Sequence, residues 1–124
     1  MLPAAARLTR RDDFAAAVQR GRRAGCGSVV VHMACAGSSV GRYYQGPKVG
    51  FVVGRKVGGS VVRHRVQRRL RHLMRARLAA LPARALVVVR ALPTSAGASS
   101  AALGDELDVA LRRLADPAEA SCRR

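Results

Sequence analysis

From Arg55 to Arg77 the chain carries nine arginine or lysine residues and no aspartate or glutamate. At about 100° per residue, Arg65, Arg68, His72 and Arg75 recur at three- and four-residue steps on one side of a helix, with His64 and Arg71 alongside. Guanidinium groups arranged in this way grip phosphate bidentately and stack on bases. They do not favour the helix that bears them. Arg65–Arg68, Arg65–Arg69, Arg68–Arg71 and Arg71–Arg75 are like-charge neighbours, each destabilising by on the order of 0.2–0.5 kcal/mol. Arg63 and Arg65 also fall in the first turns, where the helix dipole disfavours cations. An external polyanion is the simplest compensating partner. Compositional bias (21 Arg against 2 Lys) explains arginine in place of lysine, but not the removal of acids from this one region.

A strand, a glycine-rich loop and a long helix must position this charge. The strand spans Lys48–Val53, the loop residues 54–59 and the helix residues 60–81. Val62, Val66, Leu70, Leu73 and Leu81 form the stripe of the helix that packs on a sheet, with Met74 at its border. The loop Gly54-Arg55-Lys56-Val57-Gly58-Gly59 opens a helix N-terminus, whose free N–H groups can hold a phosphate. It is not a nucleotide-binding P-loop, because Gly59 runs into Ser60 without the lysine that motif needs. An ordinary turn with Ser60 as N-cap is compatible with the same residues.

The remaining elements follow from periodicity. Residues 9–20 read as a short helix capped by Thr9, with Asp12 and Asp13 in its first turn, Gly21 at its end, and Phe14, Ala17 and Val18 on its apolar face. Val29–Cys35 alternates as a strand, with Val29, Val31, Met33 and Cys35 on one face and Val30, His32 and Ala34 on the other. Residues 36–47 form a Gly/Ser-rich connection in which 40–44 can pair as a weak edge. There Tyr43 and Tyr44 are either RNA contacts or simply surface tyrosines. Pro82 ends the long helix, and Ala85–Ala91 is a third apolar strand. A last helix, capped by Ser99 or Ser100, runs to about 115 with Leu103, Leu107, Leu111 and Leu114 on one face. Residues 1–115 are expected to form a single domain and 116–124 a disordered tail. The order implies an α+β sandwich, a small sheet covered by helices on one side.

The formal net charge of +16 and pI near 11.8 point to RNA, DNA or an acidic membrane surface. Between Asp13 and Asp105 there is no carboxylate, which removes paired-acid catalysis, a Ser–His–Asp triad and carboxylate cages for Mg²⁺ from the middle of the chain. Cys26, Cys35 and Cys122, and His32, His64 and His72, lack metal-ligand spacing, and reduced thiols in a cytosol fit best. No signal peptide or membrane span is expected.

Lys48-Val49-Gly50, then Gly54-Arg55-Lys56-Val57-Gly58-Gly59-Ser60-Val61, then Arg63-His64-Arg65-Val66-Gln67-Arg68-Arg69-Leu70-Arg71 form one gapless run. It resembles the bacterial ribonuclease P protein component. Gly54, Gly59-Ser60, His64 and Gln67 depart from that family's serine, Asn-Ala, asparagine and lysine. Arg7-Leu8, Asp13-Phe14 and Gly21 match its opening pattern. The resemblance implies the same α+β fold, with a left-handed β-α-β crossover around the long helix. It implies a subunit that binds the catalytic RNA through Arg55, Lys56, Arg63, His64, Arg65, Arg68, Arg69 and Arg71. It implies that Phe14, with Val18 and His32, holds the 5′ leader of precursor tRNA, His32 standing where relatives commonly place a tyrosine. Phe14 as core and His32 as a hydrogen-bonded, partly buried histidine are the plain alternatives. Hydrolysis is then carried by the RNA subunit with Mg²⁺, the protein being cytoplasmic, with no catalytic residue, metal site, membrane contact or required protein partner. A structural nucleic-acid protein, ribosomal or DNA-compacting, is the competing function.

Overall fold

The computed structural model describes residues 6–8, 11–19, 21–35, 47–81 and 85–114. The expected edge at 40–44 with Tyr43 and Tyr44, the cap at Thr9, the side chains of Asp12 and Asp13, and the tail after residue 115 lie outside it. Helix α1 spans Arg11–Gln19, strand β1 Arg22–Cys26, β2 Val29–Cys35, β3 Lys48–Val53, helix α2 Ser60–Arg75, β4 Ala85–Ala91 and helix α3 Ser100–Leu114. The strands form one sheet in the order β1-β2-β4-β3. β1–β2 and β2–β4 are antiparallel, and β3 runs parallel to β4. The parallel pair is joined through α2, as a crossover requires.

Strand alternation gives the sheet two buried faces. Val29, Val31, Met33, Val49, Val87 and Val89 pack with Val66, Leu70 and Met74 of α2 and with Leu103, Leu107, Ala110 and Leu114 of α3. Leu86 and Val88 point the other way, into a smaller cluster with Leu8, Ala17 and Phe14. Helices therefore cover both faces, not one as the element order suggests: α1 is short, and its apolar side chains are matched by the second face of β2 and β4.

Three local expectations are corrected. β1 was not anticipated. It enters the sheet through a two-residue hairpin at Gly27-Ser28, where Gly27 alone has positive φ (58°), the pattern of a type II′ turn. Helix α2 stops at Arg75 instead of reaching Leu81, and a 3-10 turn at Leu78–Ala80 follows. Arg77 accounts for this stop. Its Nη1 donates to the Leu73 carbonyl at 2.8 Å. Its Nε and Nη2 donate to the Asp108 carboxylate of α3 at 2.7 and 3.2 Å. The guanidinium thus satisfies the end of one helix and ties it to the next. Met74 lies at the centre of the buried stripe, fully covered, while Leu73 is only partly buried.

α3 starts on a side-chain cap, Ser99 Oγ accepting from Ala102 N at 3.1 Å, and it clamps the hairpin. Glu106 Oε1 accepts from Ser28 N at 3.0 Å, and Arg113 Nη1 donates to the Gly25 carbonyl at 2.9 Å. Its buried face uses Ala110, with Leu111 only partly buried.

Candidate nucleic-acid interface

The buried residues Val66, Leu70 and Met74 fix the rotation of α2 about its axis. The opposite side carries His64, Arg65, Arg68, His72 and Arg75, all exposed. They form one basic ridge facing away from the sheet, with Val61, 77% exposed, among them. Among the described residues Arg65 and Arg68 have no hydrogen-bond or ion-pair partner within the protein.

The flanks of α2 differ from this ridge. Arg69 turns toward the segment before α3, where its Nη1 donates to the Ala98 carbonyl at 3.0 Å. Arg63 and Arg71 are half-buried on the other flank, and Arg63 Nε is buried without an acceptor. A buried donor left unpaired costs about 1–3 kcal/mol, so an incoming oxygen at this edge would gain more than one at a solvated arginine.

The loop before α2 projects its cations by anchoring between them and the helix. Val57 is buried in the main core, and the turn closes through Val57 N to Gly54 O (3.1 Å) and Gly58 N to Arg55 O (3.2 Å). Arg55 and Lys56 are left exposed at its tip. The residue that caps α2 is Gly59, not Ser60, and it offers no side-chain acceptor to the first-turn N–H groups. Those donors and the loop cations face the same end of the helix.

The other three predicted residues lie on the opposite face of the sheet. Phe14 is half-buried and packs on Leu8, Ala17, Leu86 and Val88. Val18, one turn along α1, is 44% exposed. His32 is buried in the sheet floor, and its Nδ1 has no partner among the described residues. Burial, and then the charges of Arg23 and Arg90, hold its pKa below the ordinary value of 6.5. Neither arginine is among the residues the sequence singled out. The register explains their proximity: Arg23 pairs with His32 across β1–β2, and Arg90 follows Val88, the β4 partner of His32, on the same face. Arg90 was legible as the single charge in the apolar run of β4, whereas Arg23 had no signal without β1. Beyond α1 this face continues as a strip of Val30, Arg90 and Val52, half-buried to exposed.

Acid should expose the state of His32. Its folded pKa lies below its unfolded one, so the unfolded chain takes up the proton first as pH falls. The neutral side chain's contribution to stability is complete above about 6.5 and declines as pH drops from there toward the folded value. Melting temperatures between pH 7.5 and 5 should fall more for the native chain than for His32→Gln; parallel curves would show that His32 charges as freely as in the unfolded chain.

Among the described residues, no three of His, Cys, Asp and Glu gather in a way that could hold a metal ion. No helix there is long and apolar enough to cross a membrane. The site is thus made of cations, a sheet floor and one aromatic ring. The exposed cations suit this α+β protein to a polyanionic partner.

Comparison with known proteins resolves which one. Residues 2–115 match the family model described as Ribonuclease P. A ribonuclease P protein component of Streptomyces griseus is 54% identical over 117 residues, covering 92% of this chain and 95% of its own. The fold matches the RNase P protein of Staphylococcus aureus (TM-score 0.73, 18% identity, covering 87% of this chain and 94% of that one). It also matches that of Thermotoga maritima (TM-score 0.70, 22% identity, covering 86% and 96%). The chain belongs to the ribonuclease P protein component family. It is a subunit of a tRNA-processing endoribonuclease whose partner is the ribonuclease P RNA.

Proposed function

We propose that this subunit works by charge and position, while the RNA carries out the hydrolysis. In this reading Arg55, Lys56, Arg63, His64, Arg65, Arg68, Arg69 and Arg71 neutralise phosphates of the ribonuclease P RNA. Phe14, Val18 and His32 receive the 5′ leader of precursor tRNA, with Arg23 and Arg90 supplying charge beside them. The carrying observation is the exposed ridge of α2, which presents unpaired guanidinium groups with no carboxylate among them. A row of like charges that destabilises its own helix is compensated when an RNA backbone lies against it.

The placement of the leader draws support from the second face. Half-buried Phe14 and exposed Val18 lie on the face of the sheet that also carries the cations Arg23 and Arg90 beside His32. An aromatic ring beside positive charge is the usual means of holding single-stranded nucleic acid, one base stacking while phosphates meet the arginines. In this reading Mg²⁺ is held mainly by the RNA subunit, and the protein's part is to bring cations and an aromatic ring to the two RNAs. The cytoplasm, where precursor tRNA is processed, is the expected location.

Reconstitution tests the whole reading. At low Mg²⁺, the full chain added to its cognate ribonuclease P RNA should raise the rate of precursor tRNA cleavage, and protein free of RNA should cut nothing. Cleavage by the RNA that is indifferent to the protein would overturn the assignment of a positional role. Cleavage by the protein alone would overturn the assignment of hydrolysis to the RNA.

A further inference from the structure

Gly50 occupies a buried position in β3, opposite Val88 of β4. A strand interior is an unfavourable place for glycine, which packs nothing and has the most backbone freedom to lose. Its backbone here has no need of glycine, since among the described residues only Gly27 and Gly58 have positive φ. The space above it supplies the reason. A Cβ at position 50 would run into the Phe14 ring at Cζ and Cε1, and would press on Leu8 Cβ at 3.1 Å. The ring tip of Phe14 therefore rests on the glycine itself, filling the place of the missing side chain.

We propose that Gly50 is a positioning residue. By carrying no side chain it lets the Phe14 ring lie down on the sheet beside Val88, and so sets the height at which the ring meets a leader nucleotide. The inference rests on the reading that Phe14 receives the leader, and goes beyond it by naming what aims the ring. The atoms in the way belong mostly to the far end of a mobile side chain. An added methyl group is therefore accommodated by swinging the ring outward, not by moving the strand. The ring then stands off the sheet toward Val18 and the open strip, where it obstructs the groove that it otherwise borders.

Gly50→Ala and Phe14→Ala, alone and together, separate the two ideas. Each full-length variant is reconstituted with ribonuclease P RNA, and dissociation constants are measured for precursor tRNA and for mature tRNA lacking the leader. Phe14→Ala should lower the preference for the leader-bearing substrate about tenfold, the scale of one stacked base. Gly50→Ala should lower it comparably, with mature tRNA binding and the salt dependence of ribonuclease P RNA binding unchanged. The double variant should be no worse than Phe14→Ala, since the glycine acts only through the ring. If Phe14→Ala weakens the preference and Gly50→Ala does not, or if their losses add, the positioning role is overturned. If Phe14→Ala leaves the preference intact, the leader reading itself falls. Should Gly50→Ala fail to fold, the Phe14→Leu, Gly50→Ala double variant decides the matter. With the ring gone it should fold normally, and persistent misfolding would place the demand for glycine in the backbone and overturn the proposal.

Discussion

Replacing Arg65 and Arg68 together by alanine should weaken binding to the ribonuclease P RNA by about 10- to 100-fold at low salt, and flatten the log–log salt slope by about 2 units. If the native chain neutralises about five to six phosphates, its slope should be on the order of −4 to −5. Both residues are exposed on the ridge, and among the described residues neither has a protein partner. The fold should not suffer. Alanine is the better helix former, and three like-charge contacts within α2 disappear. The melting temperature is thus expected to hold or rise slightly while RNA affinity falls, a divergence that loss of structure cannot imitate. Filter-binding or fluorescence titrations across a range of salt concentrations, beside thermal melts, measure both. An unchanged salt slope would mean that the ridge does not meet the RNA backbone.

Leu70→Ala should have the opposite signature. Leu70 is fully buried where α2 meets the main core, in a cluster that includes Met74, Leu103 and Leu107. Truncating a leucine in such a setting costs about 2–5 kcal/mol, part for lost burial and part for the cavity left behind. A domain of this size has only about 5–15 kcal/mol to lose. The melting temperature should drop by roughly 10 °C or more, read by far-ultraviolet circular dichroism because the chain has no tryptophan. Molecules that remain folded should keep the native salt slope, since no ridge charge is touched. A small change in melting temperature would show that the seat of α2 closes up around the gap.

The exposed basic ridge was legible in the sequence because charge and apolar residues on α2 keep separate helical phases. Once Val66 and Leu70 face inward, Arg65 and Arg68 have only solvent to face, and no tertiary detail can reverse this. The strands β2 and β4 were legible for a similar reason, being runs of β-branched residues with clean alternation. What failed was decided by contacts between distant residues. β1 reads Arg-Arg-Ala-Gly-Cys and has no strand propensity of its own; it is held by β2 and by Glu106 and Arg113 of α3. Its one local signal, a Gly-Ser pair before a strong strand, was available and weak. The end of α2 is set by Arg77 reaching Asp108, 31 positions away, and no cap residue announces it. The flanking of His32 by Arg23 and Arg90 needed the strand register, which follows only from the assembled sheet.

β4 is the strand on which both layers of the molecule depend, since Val87 and Val89 serve one side while Leu86 and Val88 serve the other. Arg90 guards its alignment. A slip of one residue along β2 and β3 would invert every side chain of β4 and turn this guanidinium toward the main core. The expense of an unpaired charge there makes the misaligned sheet untenable. The same arginine that stands beside His32 thus penalises the wrong fold.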